Sequence, residues 1–166
     1  VQLPLPEMIR NADKSPKDQL PNIQSFLPNS FDRVLLDPPC SALGLRPKLA
    51  VELTLDELRR FSAYQQKFIH NAVSLLKPGG VMTYSTCTIN AAENEEMVGY
   101  ILKKYGETMD LVNIDGVFDG LLCGLPGLGG LTDRQRGMVK RFDPSDEELD
   151  TMGFFVAKFR KKEKGC

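Results

Sequence analysis

This chain has almost no charge imbalance: 21 Lys and Arg stand against 22 Asp and Glu, a formal net charge of −1 over 166 residues. No global basic field draws it onto nucleic acid, so such contact must come from local patches such as Arg59-Arg60 or Arg160-Lys161-Lys162-Glu163-Lys164. A charge run of the second kind also fits a solvated tail. Cysteine is scarce and spread over positions 40, 87, 123 and 166, with no CxxC pair and the single His70. That excludes a disulfide scaffold and a zinc site of ordinary ligand spacing, and predicts a reduced, intracellular, cytoplasmic protein that holds no metal. No apolar run approaches the roughly 18 residues of a membrane span and no secretory leader is visible, so a soluble protein without a membrane partner is expected. The chain opens Val1-Gln2-Leu3 without an initiator Met, which reads as a fragment or a processed product.

What is present suffices for one domain: the hydrophobic content is 42%, enough for a core at this length. Residues 1 to 30 hold Pro4, Pro6, Pro16, Pro21 and Pro28 and read as linker or loop. Phe31 to Asp37, centred on Val34-Leu35-Leu36, predicts a buried strand that Pro38-Pro39 ends, because proline donates no ladder hydrogen bond. Thr54-Leu55-Asp56-Glu57 fits a capping box, and apolar residues at Leu58, Phe61, Tyr64, Phe68, Ala72, Val73 and Leu76 predict a helix that Lys77-Pro78-Gly79-Gly80 stops. A second strand follows at Val81 to Tyr84. Asn90 with Glu93 predicts a further cap, before a helix striped by Met97, Val98, Ile101, Leu102 and Tyr105. Strand, helix, strand, helix is the signature of βαβ units over a parallel sheet. Gly116 to Gly130 carries six glycines without the Lys-Ser/Thr pair of a phosphate loop, and reads as a flexible surface loop. Met138 to Phe142 and Gly153 to Phe159 then predict an antiparallel pair joined across the acidic stretch Asp146 to Asp150. The catalytic-type domain so outlined covers residues 31 to 160, with 161 to 166 as a basic tail.

Two thiols stand out within that order. Cys40, in Asp37-Pro38-Pro39-Cys40, and Cys87, in Ser85-Thr86-Cys87-Thr88, each follow a predicted strand. Ligands of open parallel sheets gather outside the carboxyl ends of the strands. Neighbouring strands lie about 5 Å apart, so both thiols could reach one substrate atom. Taken singly, either fits a small buried apolar residue better than a catalytic group; it is the pair at adjacent strand ends, with a carboxylate on one, that favours chemistry. A thiol oxidoreductase fits poorly, because redox pairs sit in CxxC at a helix start. His70 reads as a packing or surface residue, and Cys123 and Cys166 have no constellation around them.

The segments FDRVLLDPPCSALG (31 to 44), LLKPGGVMTYSTCT (75 to 88), NAAENEEMV (90 to 98), RFDPS (141 to 145) and DTMGFFVAKF (150 to 159) resemble, in order, the Sun-type RNA cytosine-C5 methyltransferases, relatives of bacterial RsmB and eukaryotic Nop proteins. Leu45-Arg46-Pro47 and the RFDP and GFF endings are most similar to the tRNA-modifying subgroup, the sixth member of the animal set. Asp-Pro-Pro alone also occurs in amino-methyltransferases; DPPC, STCT and ENE together are specific. The resemblance implies an α/β fold, the C-terminal half of a Rossmann-like class I methyltransferase sheet with parallel strands followed by an antiparallel pair. It implies S-adenosyl-L-methionine as cofactor and RNA, specifically tRNA, as partner.

Cytosine C5 is too poor a nucleophile to take a methyl group unaided, so a thiolate first adds at C6, splitting one hard step into easier ones. By resemblance Cys87 is that nucleophile, Cys40 serves the release step, and Asp37 contacts the ring at N3 or the amine while lying near the cofactor's methyl end. In DNA C5 methyltransferases a Pro-Cys thiol is itself the nucleophile, so Cys87 over Cys40 comes from the resemblance and not from spacing. The family's glycine-rich cofactor loop, of the form Cys-Ala-Ala-Pro-Gly-Gly-Lys, and the catalytic lysine that travels with it have no counterpart in residues 1 to 166. Asp13 is the candidate for the acid that lies near the adenine. The expectation is a partial catalytic domain, inactive in isolation; the alternative is a truncated, non-catalytic RNA-binding or scaffold product. Oligomeric state and target nucleotide are not specified by the sequence.

Overall fold

The computed structural model describes residues 26–47, 50, 52–114 and 125–163. The strand β1 (Phe31–Leu36) pairs in parallel with β2 (Leu76–Thr86), Val34 opposite Met82 and Leu36 opposite Tyr84. Between them runs the helix α1 (Leu55–Leu75). Its start is the predicted capping box: the Glu57 amide donates to Thr54 Oγ1 at 3.3 Å and the Thr54 amide donates to Glu57 Oε2 at 2.9 Å. Phe61, Ile69, Ala72 and Val73 are buried on one side of α1, which packs on β1 and β2. Lys77-Pro78-Gly79-Gly80, expected to stop the helix, does follow its end at Leu75, but it lies within the opening of β2, so the strand begins at Leu76 rather than Val81. The register jumps from Phe31–Leu76 to Arg33–Val81, and Gly79 takes a φ of 77° at the irregularity. The end of α1 is closed from outside: Lys161 Nζ donates to the Val73 and Leu76 carbonyls at 2.8 and 2.7 Å, and the Asn29 and Ser30 amides donate to Ser74 and Leu75.

Asn90 caps a single 3-10 turn (Ala91–Glu93), and the helix α2 (Glu95–Tyr105) starts only after Asn94. Met97, Val98 and Ile101 form its buried face. Then comes β3 (Met109–Val112), which the sequence did not announce, as it did not announce the short helix α3 (Asp133–Gly137). Next come β4 (Lys140–Phe142), shorter than expected, and β5 (Phe154–Lys161). The predicted antiparallel pair is β4 with β5, Arg141 opposite Phe155. It does more than close an edge, because β5 also runs antiparallel between β2 and β3, giving the order β1-β2-β5-β3. Phe155, Ala157 and Phe159 of β5 are fully buried with Met82, Tyr84, Ile69 and Val98. Lys161, placed in the predicted tail, is the last residue of β5.

The predicted linker up to Ser25, Asp13, Cys123, Cys166 and most of the glycine-rich segment lie outside the described residues. The described end of that segment is not a free loop: Leu125 bridges Arg141, and the buried Gly127 donates its amide to the Arg136 carbonyl at 3.0 Å. No described helix is long and apolar enough to cross a membrane.

Candidate active site

Because β1 and β2 run parallel, with Leu36 opposite Tyr84, both strands leave the sheet at the same end, Asp37 directly after Leu36 and Cys87 directly after Thr86. The loops then fold toward each other. Cys40 Sγ lies 3.3 Å from Cys87 Sγ. Cys40 is buried and Cys87 is half-buried. Burial pushes the Cys40 thiol up to about 12, reinforced by the Cys87 sulfur and opposed by the Ala42 amide. Asp37 is exposed, and the Ser85 hydroxyl, at the base of the Cys87 loop, reaches toward its Oδ1 at 3.4 Å. All three predicted site residues therefore stand at one place. His70 stands apart, exposed on α1 with Nδ1 3.1 Å from the Tyr105 hydroxyl.

The structure gives Gln65 a place at the site and gives Glu93, Asn94 and Glu95, present in the sequence as a cap and a motif, roles the sequence did not assign. Glu93 is fully buried. Its Oε2 accepts from the Ser41 amide and Gln65 Nε2, both at 2.9 Å, and its Oε1 accepts from Ser41 Oγ at 2.5 Å and Asn90 Nδ2 at 3.0 Å. Gln65 also donates to the Pro39 carbonyl at 3.1 Å. Asn94 donates from Nδ2 to the Thr88 carbonyl and accepts from Thr86 Oγ1, which grips both sides of Cys87. Glu95 takes both ends of the Arg141 guanidinium at 3.0 Å in a buried pair, and Arg141 donates onward to the Ile89 carbonyl. Glu93, Asn94 and Glu95 thus tie the Cys40 loop, the Cys87 loop and β4 to one turn. The sequence held a signal for Gln65: a lone amide between Phe61 and Ile69 on an otherwise apolar stripe.

Gly44 and Gly153 pack backbone to backbone beside the Cys87 loop. A Cβ on Gly44 would lie 2.3 Å from the Gly153 carbonyl oxygen, and the Gly153 amide donates to the Gly44 carbonyl at 2.7 Å. The Gly44 amide in turn donates to the Cys87 carbonyl at 3.1 Å.

The segments that carry these contacts are those of one family model, 16S rRNA methyltransferase RsmB/F, which matches residues 2–160. This chain belongs to that family. It is 48% identical over 149 residues to the rRNA (cytosine-C(5))-methyltransferase NOP2C of Arabidopsis thaliana, covering 82% of this chain and 24% of that protein. It is 42% identical over 158 residues to the tRNA (cytosine(72)-C(5))-methyltransferase NSUN6 of Mus musculus, covering 82% of this chain and 32% of the relative. The chain therefore spans about a quarter to a third of the length of these relatives. Among solved structures, NSun6 from Pyrococcus horikoshii with SFG superposes with a TM-score of 0.64 at 39% identity, over 78% of this chain and 30% of that one. The fold is that of class I methyltransferases, with the parallel β1-β2 pair followed by antiparallel strands. SFG is an analogue of S-adenosylmethionine, and the family implies use of that cofactor. One described group fits it: the exposed Asp37 carboxylate, beside the thiols, has the charge to face a sulfonium cation.

Proposed function

We propose that this chain is part of the catalytic domain of an S-adenosylmethionine-dependent RNA cytosine-C5 methyltransferase that acts through a covalent Cys87–C6 adduct, with tRNA as substrate. The observation that supports it is the 3.3 Å approach of two thiols, unequal in exposure, at the ends of adjacent parallel strands with an acid beside them. The mouse relative named for tRNA cytosine 72 supports the substrate. A base must leave its stack before a side chain reaches C6, which suits an unpaired end or loop of RNA.

Cys87, the more accessible sulfur, attacks C6. Asp37 assists by accepting from the exocyclic amine, or from N3 once N3 carries a proton, as charge moves onto the ring. The cofactor, when bound, supplies the methyl group to C5 as an electrophilic carbon. The C5 proton is then lost to a base, the C5–C6 double bond re-forms and the C6–S bond breaks. Cys40 matters at that moment: held protonated by burial, its S–H lies within reach of the departing Cys87 sulfur and stabilises it as a thiolate.

Denaturing gels of the full-length protein with its RNA test this. Cys87→Ala should lose both turnover and the protein–RNA adduct, and Cys40→Ala should accumulate the adduct. The opposite pattern would invert the roles, and no adduct in any form would overturn the covalent reading. Methyl incorporation into separate tRNA and rRNA pools decides the substrate.

A further inference from the structure

We propose that Glu93 is a positioning residue for the thiol pair, its buried carboxylate holding the Cys40 loop against the Cys87 loop. The catalytic use of the pair rests on the function proposed above; the geometric role does not.

A carboxylate has two oxygens with roughly two acceptor directions each, and here each oxygen meets two donors. All four donors are neutral. Two belong to Ser41, the residue after Cys40, and one to Asn90, three residues after Cys87. The fourth donor, Gln65, also holds the carbonyl of Pro39, the residue before Cys40. Cys40 is thus pinned on both flanks. The Ser41 hydroxyl lies 2.8 Å from Thr88 Oγ1, the side chain next to Cys87, so the same cluster couples the second loop directly. Glu93 is itself fastened to the sheet, because the Tyr84 hydroxyl donates to its backbone carbonyl at 2.6 Å. A buried polar cluster that is fully satisfied specifies one arrangement; losing one member leaves the others unpaired.

Glu93→Gln keeps the shape and replaces one acceptor oxygen with an N–H₂ group. At least one donor then faces a donor, since the Ser41 hydroxyl can turn to accept but the Ser41 amide cannot, and the hold on the Cys40 loop is weakened. The sulfur–sulfur approach can be read without RNA, with phenylarsine oxide as probe. Its arsenic condenses with two thiols, forming two As–S bonds and releasing the oxide oxygen and both thiol protons as water, with no oxidation of either sulfur. Bridging requires both sulfurs at one atom, whereas single-thiol alkylation does not.

The experiment follows bridging at Cys40 and Cys87 in the full-length protein carrying Cys123→Ser and Cys166→Ser. Protection from iodoacetamide after unfolding is mapped by peptide mass, at a temperature where melting curves show each variant folded. Glu93→Gln should slow bridging by about ten-fold or more, the scale of effect that a misplacement near 1 Å has on an oriented reaction. Alkylation of Cys87 in the folded protein should not slow. Ser41→Ala removes one donor and the Thr88 link but keeps the Ser41 amide, so it should slow bridging less; if Glu93→Gln does not fold, Ser41→Ala decides. Bridging at the parent's rate in the folded variants would overturn the proposal and leave Glu93 a stability residue only. Slowed bridging with no RNA adduct in any form would uphold the positioning role and remove the catalytic reading.

Discussion

Cys40 and Cys87 touch, yet one is buried and the other half-buried, and the proposed mechanism gives them different work. A thiol held up to about 12 has a thiolate fraction on the order of 10⁻⁴ at pH 8. Iodoacetamide at pH 8 should therefore modify Cys87 well ahead of Cys40 in the folded protein, and Cys40 should gain reactivity only as pH rises toward 12; peptide mapping of a time course checks the order. Asp37 has another role to test. Its change to Asn keeps size and some hydrogen bonding but removes the ionisable group, so single-turnover methyl transfer by the full-length protein should fall roughly hundred-fold or more with RNA binding little changed. Equal rates would remove Asp37 from the chemistry. These three residues could be placed together because each follows a predicted strand, although β1, expected to be buried, keeps only Leu36 buried, since one of its edges is open among the described residues. Glu93 was read as a cap because the Asn-x-x-Glu spacing of a helix start is the same whether the carboxylate turns to a local amide or, as here, to a loop 52 positions away at Ser41.

At the scale of elements, the two loops are held by close backbone packing as well as by hydrogen bonds. Gly44 and Gly153 meet so tightly that Gly44→Ala would drive a methyl into the Gly153 carbonyl. Overpacking of this kind costs about 1–3 kcal/mol, and here the neighbour is backbone that cannot rotate away. The urea midpoint of Gly44→Ala should drop accordingly, and phenylarsine oxide bridging should weaken with it, since the Gly44 amide also holds the Cys87 carbonyl. An unchanged midpoint would mean that the turn yields. Such contacts were beyond sequence reading, because a glycine needed for close approach looks like one needed for a turn. By contrast α1 was legible at its start, where Thr54 and Glu57 satisfy each other locally, while its finish was placed within two residues but credited to the wrong groups. Lys77-Pro78-Gly79-Gly80 has the composition of a helix stop, and the stop comes two residues earlier, supplied by Lys161 and by Asn29 and Ser30 from outside the helix.

For the whole molecule, the alternation of strand and helix predicted the parallel pair, but β3 escaped notice. Four residues, Met109–Val112, carry too little periodicity to announce a strand, and only pairing with β5 makes them one. The outer edge of β1 has no partner strand among the described residues; Leu35 in the strand is 76% exposed, and Phe26 and Leu27 just before it are 65% and 76% exposed. An apolar edge of this kind invites a further strand or another chain. Beside it, Asp37 is the residue proposed to face the cofactor, and the family's glycine-rich cofactor loop has no counterpart in these 166 residues. Calorimetric titration of these 166 residues with S-adenosylmethionine should accordingly show no measurable binding; tight, stoichiometric heat would overturn the reading as a partial domain.

The position of β5 governs how this molecule comes into being. The strand that joins β2 to both β3 and β4 follows all of them in sequence. During synthesis, β1 and β2 can pair early, but β3 and β4 have nowhere to dock until residues 154 to 161 have left the ribosome. The lysine that closes α1 arrives at the same late moment. Folding dominated by such distant pairings is slow, and it exposes apolar surface while it waits. The thiol loops, one on β1 and one on β2, thus spend the growth of the chain beside an unfilled sheet, and a nascent chain of this sequence depends on its last strand before it can acquire a settled core.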